Sequence, residues 1–298
     1  MKYTDIRGII VPILTPMDEN EQINLPVLRE QIERMIVGGV NGIFPLGTNG
    51  EAYILSEKEK LEVLETAIDQ VAGRVPVYAG TGCISTTETI RLSKAAQKMG
   101  TDVLSIITPS FAAASQHELY EHYTAIARQV DIPIVLYNIP ARTGNKLLPE
   151  TVQKLAKDVD VILGAKDSSG DFENLSAYIR LTQELDKDFR GNDALILPAL
   201  KIGGFGGIAG CANVYPKTLC AIYKNFIKGD LEAAQQAQDA IASFRSVFRY
   251  GNPNTIIKKA VSLDYPVGDC RRPFNYISDE GMQALKTVMQ ENRDRGLF

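Results

Sequence analysis

Two apolar runs of this 298-residue chain end in side chains that can do chemistry together. Val161-Ile162-Leu163-Gly164-Ala165 delivers Lys166, with Asp167, Ser168, Ser169 and Gly170 behind it. Pro133-Ile134-Val135-Leu136 delivers Tyr137 and then Asn138. A lysine at the mouth of a buried parallel strand is partly desolvated, which favours the neutral amine that attacks a carbonyl. A phenol at its side can pass protons locally. The pair points to Schiff-base chemistry with a tyrosine acid/base.

Such a pair needs elements that hold it. Eight short apolar runs read as strands: Gly8–Leu14, Gly42–Leu46, Val75–Ala79, Val103–Thr108, Pro133–Asn138, Val161–Lys166, Phe189–Gly191 and Gly206–Ala209. Amphipathic stretches alternate with them, at Leu25–Val37, Glu57–Val71, Thr86–Lys98, Gln116–Gln129, Pro149–Leu155 and Phe172–Leu185. Ser56 before Glu57 and Glu59, and Thr86-Thr87-Glu88, carry helix-start chemistry. Continuous apolar strands alternating with helices imply a parallel sheet covered by helices. Eight units in so short a span fit an α/β fold of the (β/α)8, or TIM, barrel type. No G-x-G-x-x-G follows the first strand, which counts against an open dinucleotide-binding sheet. Pro45 is discordant, because proline cannot donate to a central ladder, so the second strand must be short or interrupted.

Past Tyr215 the strand signals stop. Lys217–Lys228, Asp230–Tyr250, Thr255–Leu263 and Ser278–Arg293 read as helices. The expected division is a catalytic barrel over residues 1–228 and a small helical region over 229–298. In a barrel, active groups come from the C-terminal ends of strands and the loops after them. Those positions hold Gly47-Thr48-Asn49-Gly50-Glu51, Tyr137, Lys166, Gly191-Asn192-Asp193 and Gly210. The Gly47–Glu51 turn can aim backbone N–H groups and a hydroxyl at a carboxylate. Sequential strands lie about 5 Å apart, so Tyr137 and Lys166 would share one pocket.

Composition narrows the classes. Apolar content of 45% and charged content of 23% are those of a globular protein, and a net charge of −4 gives no footprint for nucleic acid or an anionic membrane. No apolar run approaches the roughly 20 residues of a membrane span, and the start lacks a signal-peptide core. A cytoplasmic enzyme is the expectation. Cys83, Cys211, Cys220 and Cys270 form no C-x-x-C pair and read as structural or incidental thiols. The two histidines, His117 and His122, are spaced onto different sides of a helix, which disfavours a shared metal site.

Four motifs carry a resemblance: G-T-N-G-E at Gly47–Glu51, L-Y-N-I-P at Leu136–Pro140, G-A-K-D-S-S-G-D at Gly164–Asp171, and G-G-x-G-G-I-x-G from Gly203 to Gly210. In this order and at these strand ends they resemble the dihydrodipicolinate synthase/N-acetylneuraminate lyase family of pyruvate-handling class I aldolases. The resemblance spans nearly the whole chain. It implies Lys166 as the Schiff-base lysine, Tyr137 as the acid/base and Thr48 in the keto-acid carboxylate pocket. It implies Gly191 and Ile208 as backbone positions lining that pocket. The candidate substrate-binding set is Gly47, Asn49, Arg142, Ser168, Gly191, Asp193 and Ile208. No cofactor and no metal are implied. The implied partners are pyruvate with an aldehyde, or their 2-keto acid adduct. A homotetramer of two tight dimers is implied, with Ser110–Ser115 at the dimer contact.

The chain also departs from the family. Synthases place a second threonine after Thr48 and a tyrosine pair after Thr-Pro; here the residues are Asn49 and Ser110-Phe111. Phenylalanine keeps the bulk and lacks the hydroxyl, which disfavours dihydrodipicolinate synthesis, whereas Arg142 matches the arginine that synthases use near an acidic second substrate. Ala194 stands where sialic-acid lyases carry an acidic residue. Lys166-Asp167-Ser168-Ser169 is closer to the aldolases of keto-deoxy sugar acids and hydroxy-oxo acids. The expectation is therefore a lyase acting on a 2-keto-3-deoxy sugar acid or hydroxy-oxo acid. Its first rival is a 4-hydroxy-tetrahydrodipicolinate synthase joining pyruvate to aspartate semialdehyde. From another class, a non-catalytic keto-acid binder is the alternative.

Overall fold

Each apolar run folds as a short strand, and each is followed by helix. The structure is a computed structural model that describes residues 7–185, 188–191 and 193–297. Expectations that fall on residues 1–6 and on Asn192 lie outside the described residues. In chain order the elements are β1 (Gly8–Val11), α1 (Leu25–Val37), β2 (Gly42–Ile43), α2 (Glu57–Val71), β3 (Tyr78–Gly80), α3 (Thr86–Met99), β4 (Val103–Ile107) and α4 (Gln116–Ala127). Next come β5 (Ile134–Asn138), α5 (Pro140–Thr143), α6 (Pro149–Asp158), β6 (Ile162–Asp167), α7 (Phe172–Thr182), β7 (Asp188–Gly191), α8 (Ile196–Lys201), β8 (Gly206–Ile208) and α9 (Pro216–Ile227). The chain closes with α10 (Leu231–Ala240), α11 (Ala242–Ser246), α12 (Pro253–Ser262) and α13 (Asp279–Asp294). Eight β/α repeats followed by helices alone are the (β/α)8 class with a helical C-terminal region.

The chain divides into two compact units, Pro76–Ile208 and Gly8–Val75 with the chain from Ala209 onward. In the first, β3 to β8 pair in sequence order, all parallel. Parallel strands buried on both faces, by helices outside and by other strands' side chains inside, need apolar side chains on both, and Leu104, Ile106, Ile134, Leu136, Ile162 and Ala165 are fully buried. The helices start where the sequence supplies caps. Ser115 and Glu118 form a reciprocal capping box on α4, and Asp171 accepts from the first turn of α7.

In the second unit β1 pairs in parallel with β2, Ile10 facing Gly42 and Val11 facing Ile43. Only two residues of β2 are strand, and Pro45 follows two positions later. The missing proline N–H explains why the five-residue run anticipated there is cut short. Ser56 and Glu59 build a second capping box that opens α2. The C-terminal helices carry their own aromatic cluster. Tyr215 meets Phe244 edge-on at 5.5 Å, its hydroxyl donates to Met289 Sδ at 3.1 Å, and Asn292 Nδ2 donates to that hydroxyl at 2.9 Å.

Three differences from the sequence expectation have physical causes. Helices α5 and α8 were not anticipated; with four and six residues they are too short for a 3.6-residue period to register. The single helix expected over Asp230–Tyr250 is broken into α10, α11 and a 3-10 turn over Val247–Tyr250. Helix α12 starts two residues earlier than anticipated, with Asn252 as cap and Pro253 in the first turn.

Candidate active site

Register brings the phenol and the amine together. In the β5–β6 pair Tyr137 faces Lys166 and Asn138 faces Asp167. Both members of the first pair are 4% exposed, and Lys166 Nζ lies 4.0 Å from the centre of the Tyr137 ring. Each is the next-to-last residue of a buried strand, where ladder pairing fixes the backbone, so neither group needs a loop to place it.

The next pair along locks the first. Asp167, 2% exposed, accepts from Asn138 Nδ2 at 2.9 Å and the Ser169 N–H at 3.0 Å on one oxygen. The other oxygen accepts from Ser169 Oγ and Asn174 Nδ2, each at 2.9 Å. Asn138 Oδ1 in turn accepts from the Leu147 N–H at 3.0 Å, and the Ser168 N–H donates to the Asn138 carbonyl at 2.8 Å. Four donors satisfy a carboxylate taken out of water, which is the condition for burying it. The hub ties β5, β6, α7 and the segment after α5 at one level of the sheet. Sequence reading named neither Asn138 nor Asp167 as a working residue, although both lie inside the quoted motifs; each follows the reactive residue of its strand.

The remaining candidates of this unit sit at the same edge of the sheet or just past it. Ile208, 1% exposed, ends β8, Gly191 ends β7, and Asp193 opens a 3-10 turn over Asp193–Leu195. Ser168 is half-buried behind Lys166, and Arg142 is exposed on α5. The loop before α4 is braced by Asn145, whose amide donates to the carbonyls of Pro109 at 2.9 Å and Ala112 at 2.8 Å and accepts from the Ala114 N–H at 2.7 Å. Within that loop Phe111 is 99% exposed and sits in left-handed backbone at φ 80°.

In the other unit, Gly47, Thr48 and Asn49 lie on the turn between β2 and α2, bracketed by Leu46 at φ 61° and Glu51 at φ 57°. Side-chain-bearing residues avoid that region, so a turn holding two of them needs outside support. Thr15 Oγ1 donates to the Gly50 carbonyl at 2.7 Å. Asn254 Nδ2 donates to the Thr48 carbonyl at 2.8 Å, and Asn49 Nδ2 donates to Asn254 Oδ1 at 3.3 Å. Glu51 is fully buried; one oxygen accepts from Lys258 Nζ at 2.6 Å, the other from the Arg271 N–H at 2.8 Å. Gly210 lets the turn approach, since a Cβ there would stand 3.1 Å from the Asn49 amide. Asn254 and Lys258 went unnoticed in the sequence, where they are ordinary polar positions of an amphipathic helix.

Burial accounts for the thiols: it pushes Cys220 up to about 11 and Cys270 up to about 12, so both stay protonated. All four cysteines are free. His122 pairs its Nδ1 with Thr86 Oγ1 at 2.9 Å, and burial holds its pKa down at about 4. Among the described residues no three metal-binding side chains converge, and no helix is long and apolar enough to cross a membrane.

A buried lysine and tyrosine in register on adjacent strands of a (β/α)8 chain form an arrangement suited to Schiff-base chemistry. Comparison with known proteins agrees. The sequence model of the dihydrodipicolinate synthetase family matches residues 5–292. The 4-hydroxy-tetrahydrodipicolinate synthase of Syntrophus aciditrophicus (strain SB) is 40% identical over 286 residues, which span 95% of this chain and 97% of the relative. That of Methanospirillum hungatei JF-1 is 38% identical over 288 residues, 95% of this chain and 98% of the relative. Among solved structures, Thermotoga maritima dihydrodipicolinate synthase superposes with a TM-score of 0.92 at 29% identity, covering 97% of this chain and 99% of that one. YagE, an Escherichia coli K12 prophage protein of the same family in complex with pyruvate, superposes equally well (TM-score 0.92) at 30% identity, covering 96% and 98%. The chain belongs to the dihydrodipicolinate synthetase family. It is an enzyme, a lyase of the Schiff-base aldolase class.

Proposed function

We propose that the protein is a 4-hydroxy-tetrahydrodipicolinate synthase that condenses pyruvate with aspartate semialdehyde through an imine at Lys166. The observation that carries the imine is the buried pair, Lys166 Nζ at 4.0 Å from the Tyr137 ring in matched strand register. The choice of reaction rests on full-length relatives that bear this name and on Arg142, exposed on α5, which resembles the arginine that synthases use near an acidic second substrate. The first expectation, a sugar-acid aldolase, has less support from these relatives.

Lys166 Nζ adds to the C2 carbonyl of pyruvate, and Tyr137 hands over the protons that let the carbinolamine lose water. The protonated imine withdraws electrons from C3, so a C3 proton leaves and an enamine forms. The enamine carbon attacks the aldehyde, and the substrate's own amine then closes the ring and displaces Lys166. The Gly47–Asn49 turn is assigned to the keto-acid carboxylate by resemblance, and Gly191 and Ile208 are assigned to substrate binding on the same ground. Ser168 and Asp193 contact the substrate beyond it. Binding of pyruvate in a fixed pose makes carbon–carbon bond formation effectively intramolecular.

A barrel over 1–228 with a helical appendage over 229–298, a cytoplasmic location and a homotetramer belong to the same proposal. The bare exposure of Phe111 supports an assembly through Ser110–Ser115.

The second reading, aldol chemistry on 2-keto-3-deoxy sugar acids, is favoured by one observation: Ser110-Phe111 supplies no phenol where synthases carry tyrosines. Steady-state assays with pyruvate and a panel of aldehydes decide between them. Turnover with aspartate semialdehyde well above that with glyceraldehyde is expected. Turnover with glyceraldehyde alone would give the sugar-acid reading its place.

A further inference from the structure

We infer that the C-terminal helix α12 positions the keto-acid carboxylate turn, with Asn254 as the clasp and Lys258 as its anchor. The inference rests on the assignment of Gly47–Asn49 to the carboxylate, and it concerns side chains some 200 positions away in the sequence, so no motif reveals it.

The contacts are directed at the turn itself. The Asn254 amide is 3% exposed and engages two successive residues, donating to the carbonyl of Thr48 and accepting from the side chain of Asn49. One helical turn later on the same face, Lys258 has no exposed surface and meets Glu51, the last residue of the turn. Asn252, the cap of α12, accepts from the Asn254 N–H at 3.1 Å, which sets the orientation of the clasp. Glu51 also takes the Arg271 N–H, and the Arg271 guanidinium donates to Glu59 at 2.7 Å near the start of α2. The turn is thus gripped from both ends.

Intrinsic preference does not hold this turn. Leu46 and Glu51 both occupy left-handed backbone, a conformation that persists only where surroundings enforce it. The enforcing groups that α12 contributes are a buried ion pair and one amide, beside the Thr15 hydroxyl on the Gly50 carbonyl and the Arg271 N–H on Glu51. Loosening the amide should leave the fold standing while the N–H groups near Thr48 lose their aim. Lysine and tyrosine stand on strands and keep theirs. The consequence is specific: affinity for the carboxylate falls, and imine formation at saturation does not.

Borohydride trapping at Lys166, read by mass spectrometry over a range of ketone concentrations, tests this on the full chain. Pyruvate is compared with hydroxyacetone, which has the carbonyl and no carboxylate. For Asn254→Ala the half-saturating pyruvate concentration should rise roughly tenfold, the worth of one hydrogen-bonded clasp. The labelling plateau, the hydroxyacetone response and the melting temperature should stay near those of the parent. An unchanged pyruvate half-saturation, or an equal loss for both ketones, overturns the inference. If Asn254→Ala does not fold, Asn254→Asp keeps the shape and turns a donor toward the Thr48 carbonyl into a repelling oxygen, with the same outcomes expected. A parent enzyme that labels at Lys166 but gains nothing from the carboxylate of pyruvate overturns the turn's assignment instead. A parent enzyme with no adduct at all overturns the imine reading.

Discussion

The Tyr137–Lys166 pair and the turn proposed to bind the carboxylate are held by opposite means. Tyr137 and Lys166 stand on paired parallel strands, and the neighbouring Asn138–Asp167 hub is held by hydrogen bonds from Asn138, Ser169 and Asn174. The Leu46–Glu51 turn begins and ends on left-handed residues and is secured by a fully buried ion pair brought from the far end of the chain. Covalent chemistry demands a fixed amine, which a strand supplies through its ladder. Recognition of a carboxylate demands converging backbone N–H groups, which a strand cannot supply because its N–H groups are already spent on the ladder. A turn is therefore required, and a turn needs outside support.

That contrast can be broken at either end. The largest effect belongs to the strand-borne pair. Tyr137→Phe keeps the ring over Lys166 and removes only the proton carrier, so kcat should fall about 10²- to 10⁴-fold while the melting temperature holds. A variant with near-parental kcat would show that the phenol is packing alone.

At the other end, Lys258→Met leaves Glu51 buried without its cation, and removing one partner of such a pair costs about 3–5 kcal/mol. Denaturant unfolding should register that loss, and Lys258→Met combined with Glu51→Gln should recover part of it. Equal stability for parent and single variant would mean that the turn does not depend on the pair.

Acid should separate the two units. In the Pro76–Ile208 unit, burial lowers His122 from 6.5 to about 4, so the unfolded chain takes up its proton first. Stability from this group is complete above pH 6.5, falls as pH drops toward 4, and amounts to about 3 kcal/mol over that window. In the other unit Glu59 is held at about 2, chiefly by Arg271, so its contribution is full above 4.5 and disappears between 4.5 and 2. Amide exchange at pH 5 should therefore quicken around α3 and α4 before it quickens around α2. Simultaneous loosening, or the reverse order, contradicts these assignments.

The same contrast explains what could be read from the chain. Apolar runs ending in Tyr137 and Lys166 announce buried strands and their reactive tips, because strand periodicity is local and the reactive residue is the first to break it. Ser56 and Ser115 mark helix starts through equally local chemistry. The clasp was invisible. Asn254 and Lys258 occupy polar positions on a short amphipathic helix, and only the fold turns that face toward residues 48–51. Asp167 falls between these cases: it lies inside a recognised motif, yet its role needs Asn138 and Asn174, which sequence spacing does not bring together. The substrate is the least legible feature. Arg142, on the four-residue helix α5, points one way and Phe111, on the loop before α4, another, and sequence names the neighbours of neither.

The central claim is that one amine at the end of β6 captures a keto acid. Incubation with pyruvate, reduction by borohydride and peptide mapping by mass spectrometry test it directly. A single reduced adduct on Lys166, absent from Lys166→Ala together with all turnover, is the expected result. An adduct on another residue, or turnover that survives in Lys166→Ala, would contradict it.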